Sequence, residues 1–120
     1  MASQAALLSA IASPRRREIL RLIWSAELTA GAIHQAMSDV TFAAVSLHLR
    51  LLREAGLVGV RAESRQRFYR AKPEQLGPLG QMLERMWDDQ LWSLKLEAEL
   101  EEARRGPRPH RQKRRQERKK

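Results

Sequence analysis

The stretch AAVSLHLRLLREAGLV, residues 43–58, decides the fold of this chain of 120 residues. Val45, Leu49 and Leu52 fall at positions i, i+4 and i+7, which is the spacing of the buried face of an amphipathic helix. Gly56 follows them, and a glycine at this place typically ends a helix in the left-handed conformation. The opposite face of the predicted helix is slim and carries Ala43, Ser46, Leu47 and Arg50.

Three helices are predicted before this stretch. Residues 5–12, AALLSAIA, form a short alanine-rich helix. Ser13 and Pro14 begin a second helix, because a capping oxygen precedes a ring already fixed at a helical φ. Thr29 can cap a third, AGAIHQAM, and the segment SDVT forms the turn into the fourth helix. The inward-facing side chains of the third helix are expected to be Ile33, Ala36 and Met37.

After the glycine, the pattern changes to that of a β-hairpin. In LVGVRAESRQRFYRA, residues 57–71, Val58 and Val60 alternate with polar positions. A polar turn follows near Glu63 and Ser64. The predicted hairpin is basic and carries Arg61, Arg65, Arg67 and Arg70. A short helix, a tight turn, a second helix and a basic hairpin together make a winged helix-turn-helix, which presents the second helix to the major groove of DNA. We therefore predict a mainly α-helical fold with one small β-hairpin.

A long last helix is predicted from Pro73 onward, because apolar residues recur at three-to-four spacing for about 30 residues. This seam consists of Leu76, Leu79, Leu83, Met86, Gln90 or Leu91, Leu94 and Ala98. The apolar surface is widened by Trp87, Trp92, Leu96 and Leu100. A helix with this much apolar length usually has a partner helix. We expect it to pack on its own domain and on a second subunit.

Most of the net charge of +9 belongs to the C-terminal end of the sequence. Residues 106–120, GPRPHRQKRRQERKK, hold eight Lys or Arg against one Glu, which leaves +2 for residues 1–105. This segment has no apolar residue to pack and begins with Gly-Pro, so we predict a disordered basic tail that binds polyanions. The single folded domain, including the long helix, is expected to span residues 1–105.

The composition also indicates where the protein works and what it does not do. Cysteine is absent, which excludes disulfides and thiolate metal sites and fits a reducing cytoplasm. The N-terminal charges follow the apolar stretch, which is the wrong order for a secretory signal, and no run has the roughly 18 to 20 apolar residues of a membrane span. We expect a soluble cytoplasmic protein. An enzyme is not expected, because the sequence has three histidines, no cysteine and no Gly-rich phosphate loop.

One motif carries a family resemblance. The pattern V-S-x-H-L-x-x-L-x-x-A-G-L-V at residues 45–58, followed by an arginine-rich hairpin ending in F-Y-R, resembles the core of the ArsR/SmtB family of bacterial transcriptional regulators. The resemblance covers roughly residues 5–100. It implies a homodimer, joined through the first and last helices, that binds operator DNA as a repressor. The operator would be an imperfect palindrome, because two recognition helices would enter successive major grooves.

The resemblance and the pattern together assign candidate sites. The predicted DNA contacts are Thr41, Phe42, Ala43, Ser46, Leu47, His48 and Arg50 on the fourth helix, and Arg61, Arg65 and Arg67 on the wing. The implied dimer interface consists of Leu7, Leu8, Ile11, Leu79, Leu83, Met86, Trp87, Leu91 and Leu94. Arg50 is the strongest candidate for a base contact, because bidentate pairing of arginine with guanine is the commonest specific contact. A phosphate contact is the alternative, because Arg50 lies far along the helix.

The sequence departs from the metal-sensing members of this family. Those members carry a cysteine motif on the helix before the recognition helix, and the corresponding segment ELTAGAIHQAM has none. A second known type of site uses Asp, His and Glu of the last helix, which here offers Asp88, Asp89 and Glu97 but no histidine. We therefore expect neither a metal nor a cofactor, and the sequence does not indicate an effector.

The sequence leaves the role of several positions open. Leu47 stands where relatives often have a polar residue; it either contacts a thymine methyl or is tolerated because phosphate contacts dominate. Ser64 replaces an expected wing-tip glycine, which leaves the shape of the turn open. His48 has either a structural or phosphate-positioning role or a base-reading one. The arginines at residues 15–17 indicate either an external anion or plain surface charge.

A second functional class is also compatible with the sequence. The long helix could bind another protein while the basic tail attaches loosely to RNA or to nucleoid DNA. The protein would then be a dimeric interaction module with non-specific nucleic-acid binding. Sequence preference on duplex DNA distinguishes this alternative from a regulator.

Overall fold

The computed structural model describes residues 3–105, and the predicted basic tail at residues 106–120 lies outside them. The elements follow in the order α1 (Gln4–Ile11), α2 (Pro14–Leu22), α3 (Ala30–Ala36), α4 (Phe42–Glu54), β1 (Val58–Glu63), β2 (Gln66–Ala71), a 3-10 turn (Pro73–Gln75) and α5 (Pro78–Arg105). The predicted winged helix-turn-helix, mainly helical with one hairpin, is thereby confirmed. The chain divides into two compact units, one ending at Glu84 and the other beginning at Arg85. No helix within residues 3–105 is long and apolar enough to cross a membrane.

The first four helices all begin at a serine or threonine that caps them. The side-chain oxygens of Ser3, Ser13, Thr29 and Thr41 accept backbone N–H groups three residues later, at 3.0–3.2 Å. Each cap satisfies an N–H group that has no partner within the helix, and its replacement by alanine typically costs about 1 kcal/mol. The predicted caps Ser13 and Thr29 are confirmed. Thr41 defines where α4 begins.

The C-terminal end of α4 is equally well defined. Gly56 has φ of 82°, and its N–H donates to the Arg53 carbonyl at 2.9 Å. The N–H of Leu57 donates to the Leu52 carbonyl, also at 2.9 Å. These two bonds form a Schellman motif, and a β-carbon in this left-handed conformation would be strained. The predicted glycine stop is confirmed, and the chain passes directly into β1.

The core of the first unit includes the α4 face that the sequence predicts to be buried. Val45, Leu49 and Leu52 are at most 2% exposed, and α4 packs against α2 and α3. The other large side chains that are fully buried are Ile19, Leu20, Ile23, Ile33 and Leu57. In α3 the prediction for Ile33 and Met37 is confirmed, but that for Ala36 is wrong: this residue is exposed because the helix ends there.

The wing has a tight turn although it lacks a glycine. β1 and β2 pair in antiparallel register up to Glu63 and Gln66, so Ser64 and Arg65 form the loop. Ser64 has φ of 58°, in the left-handed region that glycine occupies without strain. The serine therefore takes the kind of backbone conformation for which a glycine was expected.

Backbone hydrogen bonds anchor the wing to the helical core. Leu28 and Tyr69 exchange two of them, at 2.8 and 3.1 Å, and form an isolated bridge beside β2. The N–H of Ala71 donates to the carbonyl of Ile23 at the end of α2, at 2.9 Å. Since the residue after α2 and the segment before α3 both bind β2, the position of the wing is coupled to that of the helix-turn-helix.

The last helix begins later than predicted. The residues from Pro73 form a single 3-10 turn, Gly77 has φ of 56°, and α5 begins only at Pro78. Leu76 and Leu79 are nevertheless both buried. The apolar spacing therefore correctly predicts that Leu76 and Leu79 are buried. It does not predict the left-handed conformation of Gly77, which lies between them and prevents one continuous helix.

The arginines at the start of α2 have partners inside the chain. Arg16 donates from Nε to the carbonyl of Ala10 at 2.6 Å, and Arg17 from Nη1 to that of Ile11 at 2.9 Å. Carbonyl groups at the end of a helix lack intrahelical partners and carry partial negative charge. These two cations therefore bind the end of α1, and the cluster needs no external anion to explain it.

His48 joins α4 to the start of α2. Its ring is half-buried, and Nδ1 lies 3.5 Å from Nη1 of Arg16. Burial, with the positive charges of Arg16 and Arg15, lowers the pKa of His48 below its usual value. The ring is therefore neutral at pH 7, and its Nδ1 is placed to accept from the guanidinium.

The two faces of α4 predict opposite responses to truncation. Leu52→Ala should lower the free energy of unfolding by about 2–5 kcal/mol, because it leaves a cavity in the core. Leu47→Ala, on the exposed face, should change it by less than about 0.5 kcal/mol. Urea unfolding at one fixed protein concentration measures both variants. Equal losses would contradict the assignment of the two faces.

The lowered pKa of His48 predicts a pH-dependent stability. The neutral ring contributes fully to stability above the pKa that histidine has in the unfolded chain, about 6.5. This contribution is lost as the pH falls through the lower pKa of His48 in the folded protein. Wild type should therefore lose more stability between pH 7.5 and pH 5 than His48→Gln, which cannot be protonated. Asp39, whose pKa is lowered by Arg15, titrates below this window. Parallel urea-unfolding profiles of the two proteins over this range would contradict the assignment.

Candidate nucleic-acid interface

The face of α4 opposite the core is open to solvent. The four side chains predicted to read bases all lie on it and are exposed: Ala43, Ser46, Leu47 and Arg50. Leu47 is 46% exposed, and Leu51 one turn later is 36% exposed. Ala43, Leu47 and Leu51 therefore form an apolar stripe along the outer face of the helix. Such a face is slim enough for the major groove, which admits an α-helix.

Two predicted DNA contacts at the start of α4 also have structural roles. The Oγ1 of Thr41 accepts the backbone N–H of Ala44 at 3.0 Å, so it caps the helix. The ring of Phe42 meets the edge of His34 with centroids 5.9 Å apart, but Phe42 is still 50% exposed. The first turn of α4 is thus held against α3 while presenting an aromatic ring to solvent.

Arg50 is a weakly restrained cation on the outer face of α4. Its Nε lies 3.9 Å from Glu54, a long ion pair between side chains that are each 65% exposed. Exposed pairs of this kind are worth at most about 1 kcal/mol. The guanidinium can therefore exchange this partner for a base or a phosphate at little cost.

Arg61 is placed differently from the other wing arginines. Its Nη2 donates to Glu27 at 2.8 Å, it also bonds Glu63, and its guanidinium lies 4.9 Å from the ring centre of Phe68. These contacts raise the pKa of Arg61 and lower that of Glu27, mainly through the hydrogen bonds between them. The predicted DNA contact thus has two carboxylate partners, and its role here is to hold the wing to the segment before α3.

The remaining wing arginines point their charge outward. Arg65 lies in the loop, and Arg67 and Arg70 on β2; all three are exposed. Neither Arg65 nor Arg67 forms an ion pair with another of the residues 3–105. These two predicted contacts are therefore available to an external anion such as a phosphate.

Two basic side chains that were not predicted as contacts lie where α4 meets the wing. Arg53, in the last turn of α4, and Lys72, directly after β2, line a shared groove with Arg50. Gly59 in β1 was the available signal, because an isolated glycine in a strand often marks a close approach of another group. Here that group is the side chain of Lys72.

The residues predicted for dimerisation fall into buried and exposed groups. Ile11, Leu79 and Leu83 are at most 7% exposed and belong to the core of the first unit, so they offer little area to a second copy. Leu7 is half-buried and Leu8 is 47% exposed. In the second unit, Met86 and Trp87 are partly exposed, while Leu91 and Leu94 are 68% and 64% exposed.

The described part of the chain does not assemble a metal centre. Within residues 3–105, no group of three or more His, Asp or Glu side chains is arranged to hold a metal ion. The surface formed by α4 and the wing presents an exposed helix face, guanidinium and ammonium groups and backbone. These groups bind nucleic acids through base edges and phosphates.

Comparison with known proteins connects this geometry to characterised regulators. A family model described as a helix-turn-helix domain matches residues 11–61. The transcriptional activator HlyU of Vibrio cholerae is 32% identical over 81 residues, which cover 68% of this chain and 74% of HlyU. Its solved structure has a TM-score of 0.62 at 31% identity, covering 69% of this chain and 89% of that one.

Two further solved structures bear the family's name. The homodimeric winged helix-turn-helix DNA-binding domain of Mb0332 from Mycobacterium bovis, a possible ArsR-family regulator, has a TM-score of 0.60 at 29% identity and covers 71% and 78% of the two chains. An ArsR-like regulator from Rhodococcus sp. RHA1 has a TM-score of 0.57 at 30% identity and covers 79% and 92%. Because these relatives are regulators, the expectation that this chain is not an enzyme is confirmed. The chain belongs to the ArsR family of winged helix-turn-helix transcriptional regulators.

Proposed function

We propose that this protein is a homodimeric repressor that binds a palindromic operator in duplex DNA. The observation that carries this proposal is the exposed face of α4, whose Ala43, Ser46, Leu47 and Arg50 are held outward by the buried stripe behind them. A helix fixed in this way enters the major groove in one rotational setting only. Arg65 and Arg67 then contact the flanking backbone, and the basic segment at residues 106–120 adds attraction to any DNA.

The second unit supplies the argument for a dimer. Its part of α5 exposes five large apolar side chains, each 46–68% exposed: Leu91, Trp92, Leu94, Leu96 and Leu100. Apolar surface concentrated on one helix in this way is typical of an interface. Mb0332 is described as homodimeric, and a second copy of this chain is the occupant we propose. Two α4 helices would then reach half-sites about one helical turn of DNA apart.

We propose repression because a protein bound to a promoter blocks access to that DNA. A dimer that lies in two successive major grooves excludes other proteins from the same DNA. HlyU is named an activator, so the direction of regulation is settled by expression from a promoter that carries the operator. Repression predicts higher expression when the gene for this protein is deleted, and lower expression would identify an activator.

Leu47 is proposed to contact a thymine methyl. In the major groove this methyl is the one apolar group that distinguishes a base pair. Leu47 is 46% exposed and is flanked on its stripe by Ala43 and Leu51, so the outer face of α4 offers a thymine a surface of matching polarity. The operator should therefore have an A·T pair opposite Leu47.

Arg50→Ala should weaken binding to the operator selectively. The operator is first obtained by selecting duplexes from a random pool with the full-length protein. Loss of a bidentate guanine contact costs about 1–3 kcal/mol, so the operator Kd should rise roughly 5- to 150-fold, with little change on random DNA. Arg21→Ala, which removes an ion-paired arginine from α2, is the matched control and should change both Kd values less than threefold. An equal loss on both duplexes would refute base reading by Arg50.

The role of Leu47 is tested by replacing single thymines of the operator with uracil, which removes only the methyl group. At the position opposite Leu47, wild type should bind about fourfold more weakly, the equivalent of about 0.8 kcal/mol for one buried methyl-sized group. Leu47→Ala should bind the thymine and uracil duplexes equally. If wild type is insensitive to uracil throughout the operator, Leu47 is only a tolerated surface residue.

A further inference from the structure

A cationic groove lies between the C-terminal half of α4 and the base of the wing. Its walls carry three positive side chains, Arg50, Arg53 and Lys72, against the one carboxylate of Glu54. Glu54 is 3.9 Å from the Nε of Arg50. Arg53 and Lys72 are exposed and form no ion pair with any residue of the described range 3–105. The groove therefore retains an excess of positive charge facing solvent.

Gly59 leaves space for the side chain of Lys72 to lie along this groove, because glycine has no side chain. A β-carbon built on Gly59 would lie 2.9 Å from Cε of Lys72 and 3.8 Å from its Nζ. The end of the Lys72 side chain thus occupies the space that a side chain at residue 59 would fill. Its backbone is fixed as well, because the N–H of Lys72 donates to the carbonyl of Leu57 at 2.8 Å.

We propose that this groove seats a backbone phosphate of the DNA that α4 reads, with Lys72 and Arg53 as its ligands and Gly59 as the residue that positions Lys72. This inference rests on the proposed function. It follows from where the groove lies, because Arg50 on the outer face of α4 lines one side of it and the wing lines the other. A phosphodiester beside the major groove presents anionic oxygens to groups at this place, and phosphate contacts fix the register of a protein on a duplex. An ammonium group binds such oxygens as a point charge.

The central test measures binding of the full chain to the operator and to a shuffled duplex across a range of salt concentrations. Lys72→Ala should weaken both complexes by a similar factor and reduce the slope of log K against log salt by about 1. Arg21→Ala is the control for simple loss of one positive charge and should leave the slope unchanged. A slope that is the same in wild type and Lys72→Ala would overturn the assignment.

Gly59→Ala provides an independent test, because it changes no charge. The added methyl meets only the far end of a flexible lysine, so the variant should fold with nearly unchanged stability while Lys72 is displaced. It should therefore weaken DNA binding in the same direction as Lys72→Ala. In the double variant Gly59→Ala/Lys72→Ala, the loss should equal that of Lys72→Ala alone, since Gly59 acts through the lysine. Additive losses would show that Gly59 does not position Lys72.

Inorganic phosphate separates the DNA backbone from a free anion as the source of the phosphate group. At constant ionic strength, phosphate should weaken operator binding no more than chloride does. If the groove instead serves a free anion, inorganic phosphate alone should bind wild type but not Lys72→Ala while the salt slope of DNA binding is the same in both proteins, and this result would overturn the proposal. A failure of the proposed function would give a different result, namely a wild-type protein with no preference for any duplex. The groove can still be tested in that case, because the salt slope is measurable on random DNA.

Discussion

The burial of one apolar face of α4 determines how the helix is oriented in the fold. Val45, Leu49 and Leu52 are almost completely removed from solvent, and burying side chains of this size stabilises a fold by about 1.5–3 kcal/mol each. Because side chains on a helix keep fixed angular relations, burial of this stripe also determines which side chains face outward. Thr41 and Gly56 fix the two ends of the helix, so its rotation and its length are both defined. Packing in the core thus determines which side chains form the outer face of α4.

The arginines divide between structure and recognition, although they look alike in the sequence. Arg16 and Arg17 bind the carbonyl end of α1, and Arg61 on β1 bridges the carboxylates of Glu27 and Glu63. Arg50, Arg65 and the groove residues are left with weak partners or with no ion pair in residues 3–105. The number of arginines in residues 3–105 therefore overstates the number of cations that this part of the chain can offer to DNA. Binding specificity depends on the few that remain and on the apolar stripe between them.

Local features of the fold could be predicted from the sequence because they depend on neighbouring residues. The spacing of Val45, Leu49 and Leu52, the cap at Thr29 and the stop at Gly56 are all short-range signals, and each is confirmed. The pairing of Arg61 with Glu27 spans 34 residues and was not predictable, because it depends on where the wing folds back against the segment before α3. The same reason applies to Lys72, whose placement requires the strand pairing that brings Gly59 beneath it. Burial of Ile11, Leu79 and Leu83 likewise results from packing within the unit, which periodicity alone does not distinguish from packing against a second copy.

We propose that the outer face of α4 distinguishes DNA sequences and does not bind through charge alone. The most direct test of this proposal is the fluorescence anisotropy of the full chain on the selected operator and on a shuffled duplex of the same composition, at two salt concentrations. We expect a preference of about 10³ or more for the operator that persists at the higher salt. Equal binding to both duplexes that disappears as salt rises would contradict it, and would mean that the basic residues alone attach the protein to DNA.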